Sequence, residues 1–359
     1  MNWPTHGSNP HYLYKAMGLS EQEGSNDFSA NINPLGPPSS LEKEWQSYYK
    51  KMFQYPDPNG RELKGLISQK EQISEECILL GNGGAEIISL IGRLLSKKRI
   101  LIIQPTFSEY EKACKVNGCT IVYHTLKEGS WELLADELDP KLRGVDAVFL
   151  CNPHNPTGIC FTSQEITRLI DACSEHNCFL ILDEAFYDFV GEYESYVPQL
   201  SKKTKLIILR SMTKMYSIPG VRLGYVMANE EVIQRLAEYQ PHWSVNGLAL
   251  LAGETCIQQE CYIEETQKYI TGERNRLFSQ FQQLGYDFSP SHVNFYLLKD
   301  RRLADQYSFF HFLIKEGIIP RHTYNFPGLD GRWLRFAIRS HDENTQLMEG
   351  LEKWRQISS

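Results

Sequence analysis

The chain is constrained most by a regular alternation, between about residue 60 and residue 230, of short apolar runs with longer amphipathic stretches. Parallel strands need a crossover between them, and an amphipathic helix is the usual one, so the alternation points to β-α units building a mostly parallel sheet. Seven runs read as strands: Cys77–Leu80, Arg99–Ile103, Thr120–His124, Ala147–Cys151, Cys178–Leu182, Leu206–Arg210 and Leu223–Met227. Most end in a polar or Gly/Pro-rich turn, among them GNGGAE, QPTFSEY, NPHNPTG, DEAFYDF and SMTKMYSIPG. Ligands of open α/β sheets bind at the carboxyl ends of strands, so chemistry is expected in these turns.

Beyond Trp243 the pattern changes to a long helical tract over residues 247–285. Short strands follow around Asn294–Leu298 and Trp333–Ala337, with helices near Leu303–Lys315 and Glu343–Trp354. The expected organisation is an arm and connector over residues 1–40, a large α/β domain over 41–240 and a smaller α+β domain over 241–359.

Composition narrows the partners. No apolar run approaches the ~20 residues that span a bilayer, and the opening residues lack the basic-then-apolar pattern of a secretory signal, so the cytoplasm is expected and a membrane is not. The nine cysteines lack a C-x-x-C pair, which suits reduced thiols rather than disulfides or a metal site. A net charge of −7, spread along the chain, argues against nucleic acid. An anionic small molecule must then be held by local groups.

Four turns carry candidate chemistry, and each has a bland alternative. Gly81-Asn82-Gly83-Gly84-Ala85-Glu86 is often just a turn, but glycines before a helix N-terminus can cradle a phosphate. In the segment Ser211 to Arg222, Lys214 follows a buried strand, with a hydroxyl three residues before it and a guanidinium eight after it. A lone loop lysine would be solvated charge; here Ser211 and Arg222 can hold a phosphate and leave the Lys214 amine to condense with an aldehyde. Asp183 ends the run CFLILD, where a carboxylate can keep a pyridine nitrogen protonated or merely cap a helix. Asn155, in NPHNPTG, can donate to a phenolate oxygen or serve only the turn.

Together the order and spacing of these turns resemble the fold-type I pyridoxal-5′-phosphate (PLP) enzymes of the class I/II aminotransferase group, over essentially the whole chain. The resemblance implies a large domain around a mostly parallel seven-stranded sheet, PLP as cofactor and a homodimer. It makes Lys214 the cofactor-bearing lysine, Asp183 the partner of the ring nitrogen and Asn155 the donor to the ring oxygen. Gly84, Ala85, Ser211 and Arg222 become the phosphate grip. Phe107 is similar to the ring-stacking aromatic, with Tyr110 a rival, and Tyr55 to the tyrosine that reaches the cofactor phosphate across a dimer interface. Arg335 resembles the arginine that binds the substrate α-carboxylate.

Within the group, two families compete: the L-threonine-O-3-phosphate decarboxylases of cobalamin synthesis and the histidinol-phosphate aminotransferases. His6-Gly7 with the stretch DFSANINPLG, which contains Asn33, resembles the decarboxylases, and the resemblance makes His6, Asn33 and Arg339 substrate-binding candidates beside Arg335. So do Phe186, where the aminotransferases usually carry a tyrosine, the segment Trp243 to Asn246, and the pair Arg335 and Arg339. Arg321 is a further candidate for the substrate phosphate. The expected reaction is therefore decarboxylation of a phosphorylated amino acid, with transamination as the alternative. PLP-dependent regulators of this fold carry a fused DNA-binding segment, for which the chain has no room.

Overall fold

In the computed structural model, which describes residues 3–202 and 205–357, a first short strand β1 (Asn26–Asp27) precedes a run of seven. These are β2 (Ile78–Gly81), β3 (Arg99–Gln104), β4 (Thr120–Thr125), β5 (Ala147–Cys151), β6 (Phe179–Asp183), β7 (Leu206–Ser211) and β8 (Gly224–Ala228). They form one sheet in the order β2-β8-β7-β6-β5-β3-β4. The pairings from β4 through β7 are parallel, and β8 runs antiparallel to both β7 and β2. The seven expected strands all form, with ends shifted by a residue at most positions.

Every residue of β5, β7 and β8 is buried, because helices cover both faces of the sheet. Alternate side chains enter different clusters. Ala147, Phe149, Ile181 and Ile207 pack under the helices Gly83–Leu94 and Ser108–Val116. Val148, Leu150, Leu180 and Ile208 face the opposite layer, with the helix Ser163–Glu175. Thr162 caps that helix by accepting from the Glu165 amide, a local signal that fixes where it begins.

The remaining strands are β9 (Asp287–Phe288), β10 (Phe295–Lys299), β11 (Ile318–Ile319), β12 (Arg321–His322) and β13 (Leu334–Ala337). An antiparallel sheet of order β12-β13-β10-β9 packs with the helices Glu260–Gln283, Tyr307–Lys315 and His341–Ile357. The opening segment is more than the connector its Asn/Pro/Gly content suggests. β1 pairs in parallel with β11, Asn26 opposite Ile318, and Phe28 is fully buried with its ring 6.2 Å from Phe336. The helix Pro10–Met17 buries Leu13 and Tyr14. Isolated apolar residues among turn formers give no periodicity, so their core role is invisible until the chain returns at β11. No helix among the described residues is long and apolar enough to cross a membrane.

Candidate active site

A cavity of about 250 Å³ lies at the carboxyl ends of β5, β6 and β7, closed from the other side by residues 5–8, Arg321 and Arg335. Its wall includes His6, Gly84, Ala85, Phe107, Asn155, Asp183, Ser211, Lys214, Arg222, Arg321 and Arg335. Residues spread over more than three hundred positions thus converge.

One end is an anion cradle. The helix Gly83–Leu94 points its N-terminus at the cavity through Gly84 and Ala85, whose amides have no acceptor one turn back. Gly83 has φ +74°, and a Cβ there would come within 2.5 Å of an Arg222 nitrogen; one on Gly84 would meet nothing within 4 Å. Glycine at 83 is therefore what lets the guanidinium lie against the turn, and the space in front of Gly84 is open. The hydroxyls of Ser211 and Thr213 lie 2.9 Å apart beside it. Free amides, hydroxyls and a guanidinium around an open space are the donor set a phosphate requires.

The centre suits a pyridine ring. Asp183 ends β6 with Oδ1 accepting from the Ala185 amide at 3.0 Å and Oδ2 from the Tyr110 hydroxyl at 2.5 Å. Burial pushes this carboxyl above its ordinary range, and the Tyr110 bond opposes the shift. Tyr110 stacks on Phe149 with centroids 5.1 Å apart, while Phe107 meets Tyr110 edge-on. With the Tyr110 ring against Phe149 and its hydroxyl on Asp183, Phe107 is the freer aromatic. Asn155 Oδ1 accepts from Arg335 at 2.7 Å, which turns the amide NH2 the other way. Lys214 lies in the short helix Met212–Met215 after β7. Burial, with Arg335 and Arg222 nearby, pushes its amine down to about 8.

The far end holds two guanidiniums. Arg335 donates to Asn155 and to the Ser29 carbonyl, and its buried Nε has no partner among the described residues. Arg321 donates to the Thr5 carbonyl at 2.7 Å, to Asn325 and to the His322 carbonyl. Burial pushes Arg335 down to about 10 and Arg321 to about 9. These acceptors are neutral; the Asp27 carboxylate offsets part of the charge at Arg335, while burial and Arg335 itself weigh on Arg321, so an added anion is favoured at this end.

Three expected site residues stand apart. The Asn33 amide donates to the Met215 carbonyl, Thr266 and Tyr262, so its donors are used in holding the loop after β7 and do not face the cavity. Arg339 is paired with Glu343 at 2.8 Å, four residues along, and does not join Arg335. Tyr55 is 84% exposed, its ring 5.0 Å from Trp243. Conversely, Thr213, Asn31 and Asn325 line the cavity without having been expected to bind there, and Tyr110, weighed as a rival to Phe107, lines it too. Only the Tyr110 ring was flagged by its motif; its bond to Asp183 is a tertiary contact across 73 positions.

A mostly parallel α/β sheet with a phosphate cradle, a buried carboxylate and a buried amine at its carboxyl edge defines a class of enzyme, and residues 24–351 match its family model, aminotransferase class I and II. The chain belongs to that family of enzymes. It is similar to the threonine-phosphate decarboxylase of Salmonella typhimurium, 35% identical over 96% of this chain and 95% of the relative. It is 29% identical to the histidinol-phosphate aminotransferase of Moorella thermoacetica, over 90% of this chain and 84% of that protein. The crystal structure of the histidinol-phosphate aminotransferase from Clostridium acetobutylicum superposes with a TM-score of 0.87 at 32% identity, covering 92% of this chain and 99% of that one.

Proposed function

We propose that this enzyme uses PLP to decarboxylate L-threonine O-3-phosphate, giving (R)-1-aminopropan-2-ol O-phosphate and CO2 for cobalamin synthesis. The observation that carries the reading is the pair of buried guanidiniums, Arg321 and Arg335, in a cavity that Phe186 also lines. A substrate with both a carboxylate and a phosphate matches two separate cations.

Bound PLP supplies a protonated ring that accepts the electrons released at the substrate Cα. In this reading Gly84, Ala85, Ser211 and Arg222 hold its phosphate, Asp183 its ring nitrogen and Asn155 its ring oxygen. Phe107 would lie against the ring and Lys214 would carry it. Arg335 would take the α-carboxylate and Arg321 the phosphate, which together would fix rotation about the substrate N–Cα bond. That rotation would present the carboxylate rather than the α-proton for loss. Lys214, with an amine that titrates near pH 8, is placed to return a proton to Cα; positioned acid–base help of this kind is worth ~10²–10⁴ in rate.

A homodimer in the cytoplasm completes the reading. Trp45, Tyr49, Phe53, Tyr55 and Trp243 are exposed, Tyr49 edge-on to Phe53 and Tyr55 against Trp243, and large apolar groups left in water call for a partner. A second copy would cover them and bring Tyr55 towards the neighbouring cofactor phosphate. Transamination of histidinol phosphate is the second reading, favoured by the 32% identity to the Clostridium acetobutylicum enzyme.

Purified protein with PLP is incubated with L-threonine phosphate, and separately with histidinol phosphate and 2-oxoglutarate. CO2 from the first without glutamate from the second is expected; glutamate from the second overturns the proposal. Sedimentation equilibrium tests the dimer.

A further inference from the structure

Residues 3–8 run across the mouth of the cavity and touch both of its walls. On one side, the Trp3 ring stacks on Tyr324, with centroids 4.8 Å apart and planes at 9°. It also meets His322 at 4.8 Å and Phe310 at 5.8 Å. Pro4 follows, with its carbonyl 3.0 Å from His322 Nε2. The Thr5 carbonyl then accepts from Arg321 Nη2 at 2.7 Å and from Asn325 at 3.0 Å. On the other side, His6 Nε2 lies 3.0 Å from Glu109, and its ring 5.7 Å from Phe107. Gly7 passes so close to Ser29 that a Cβ would sit 2.4 Å from the Ser29 carbonyl oxygen, and the Ser8 amide donates to the Ser29 hydroxyl at 2.9 Å.

This strap has no helix or strand hydrogen bonds of its own. Fixing each of its residues costs about 1–2 kcal/mol of backbone entropy, so contacts at its ends must hold it. The Trp3 cage is its large apolar contact, and aromatic pairs add to simple burial. Thr5 in turn sets where the Arg321 guanidinium points, because a planar group bonded at both terminal nitrogens has one orientation. Trp3 does not line the cavity.

We propose that Trp3 is a positioning residue for the phosphate end of the site: by anchoring residues 4–8 in the Tyr324, His322 and Phe310 cage, it holds the Thr5 carbonyl on Arg321 and sets affinity for the substrate phosphate. The inference rests on the assignment of Arg321 to that phosphate. Loss of the anchor releases the carbonyl, lets water reach Arg321 and leaves the guanidinium with Asn325 and its own strand as guides. Of the residues assigned to the cofactor the strap meets Phe107, through the His6 ring; the Trp3 ring itself packs on none of them.

The test uses the PLP-loaded enzyme and inorganic phosphate as the probe. Trp3→Ala is expected to weaken phosphate binding, measured by titration calorimetry, about tenfold, the worth of one hydrogen bond to a charged group. KM for L-threonine phosphate should rise by a similar factor, with kcat within about twofold and the cofactor absorbance band unchanged. Trp3→Phe should restore most of the affinity. Trp3→Leu, which keeps an apolar side chain but loses the ring stack on Tyr324, should act in the same direction and carries the test if Trp3→Ala fails to fold. Unchanged phosphate affinity in a folded Trp3→Ala protein overturns the proposal, as does an affinity loss accompanied by loss of cofactor absorbance. A wild-type enzyme that binds phosphate at this site but releases no CO2 from threonine phosphate removes the decarboxylase reading and leaves this one standing.

Discussion

Arg321 and Arg335 are direct partners across the antiparallel pairing of β12 and β13, so two buried guanidiniums project from the same face of one sheet. Like charges placed opposite each other destabilise a sheet, and burial adds to the penalty. An arrangement this unfavourable to folding supports the proposal that the two groups bind an anion.

That cost is measurable. Arg321→Met is expected to raise the thermal midpoint of the cofactor-loaded protein by about 2 °C, the order of 1 kcal/mol for a chain of this size, while raising KM for the phosphorylated substrate by about tenfold or more. Calorimetry and steady-state kinetics check both; a lowered midpoint would show that Arg321 is a structural prop.

The lowered amine of Lys214 gives a pH dependence with a definite sign. Its ordinary value is 10.5 and the fold brings it to about 8. Below about pH 8 both states of the cofactor-free protein hold the proton, and the buried charge weighs against the fold. Between about 8 and 10.5 the unfolded chain keeps a proton the fold has released, so stability rises with pH across that window. Cofactor-free Lys214→Met should therefore be more stable than wild type at pH 7, with the gap closing from pH 8 upward in urea unfolding. The rate at which wild-type protein takes up PLP should climb towards pH 8 and level off above it.

Tyr110→Phe removes a hydrogen bond that opposes the raised pKa of Asp183. The carboxyl should then gain a proton at higher pH than in wild type, so the acid limb of kcat moves to higher pH. Retention of PLP should weaken about tenfold, read by dialysis against the absorbance of the cofactor. An unshifted acid limb would separate Tyr110 from Asp183 function.

Phe186 lines the cavity and packs edge-on against Phe295 at 4.7 Å. Phe186→Tyr adds a hydroxyl there, and the fraction of turnovers ending in transamination is expected to rise, counted as pyridoxamine phosphate formed per CO2 released. No change in that ratio would free position 186 from any part in choosing the reaction.

Much of the site was legible along the chain because its parts sit in turns after strands. Each such turn is local, with a fixed spacing between a glycine, a hydroxyl, a lysine and an arginine, and the sheet brings the turns together wherever parallel strands end. Asp183, Asn155, Lys214 and Arg222 were readable for that reason. Arg339 misled because four residues on a strand-to-helix junction do not preserve direction: Arg335 faces the cavity from β13, while Arg339 lies beyond the strand and pairs with Glu343. Asn33 misled because its neighbourhood is similar to that of a ligand while its own amide is committed to Met215, Thr266 and Tyr262.

The sequence by itself determined a mostly parallel sheet, its seven strands and the residues that follow them, since hydrophobic periodicity and turn chemistry act over a few residues at a time. Only the tertiary structure decided that Arg321 stands opposite Arg335, that Tyr110 bonds Asp183, and that the opening residues complete the core at β11 and cross the cavity at Thr5. These contacts join residues from 14 to more than 300 positions apart, and their free energy exists only once the sheets have packed and excluded water.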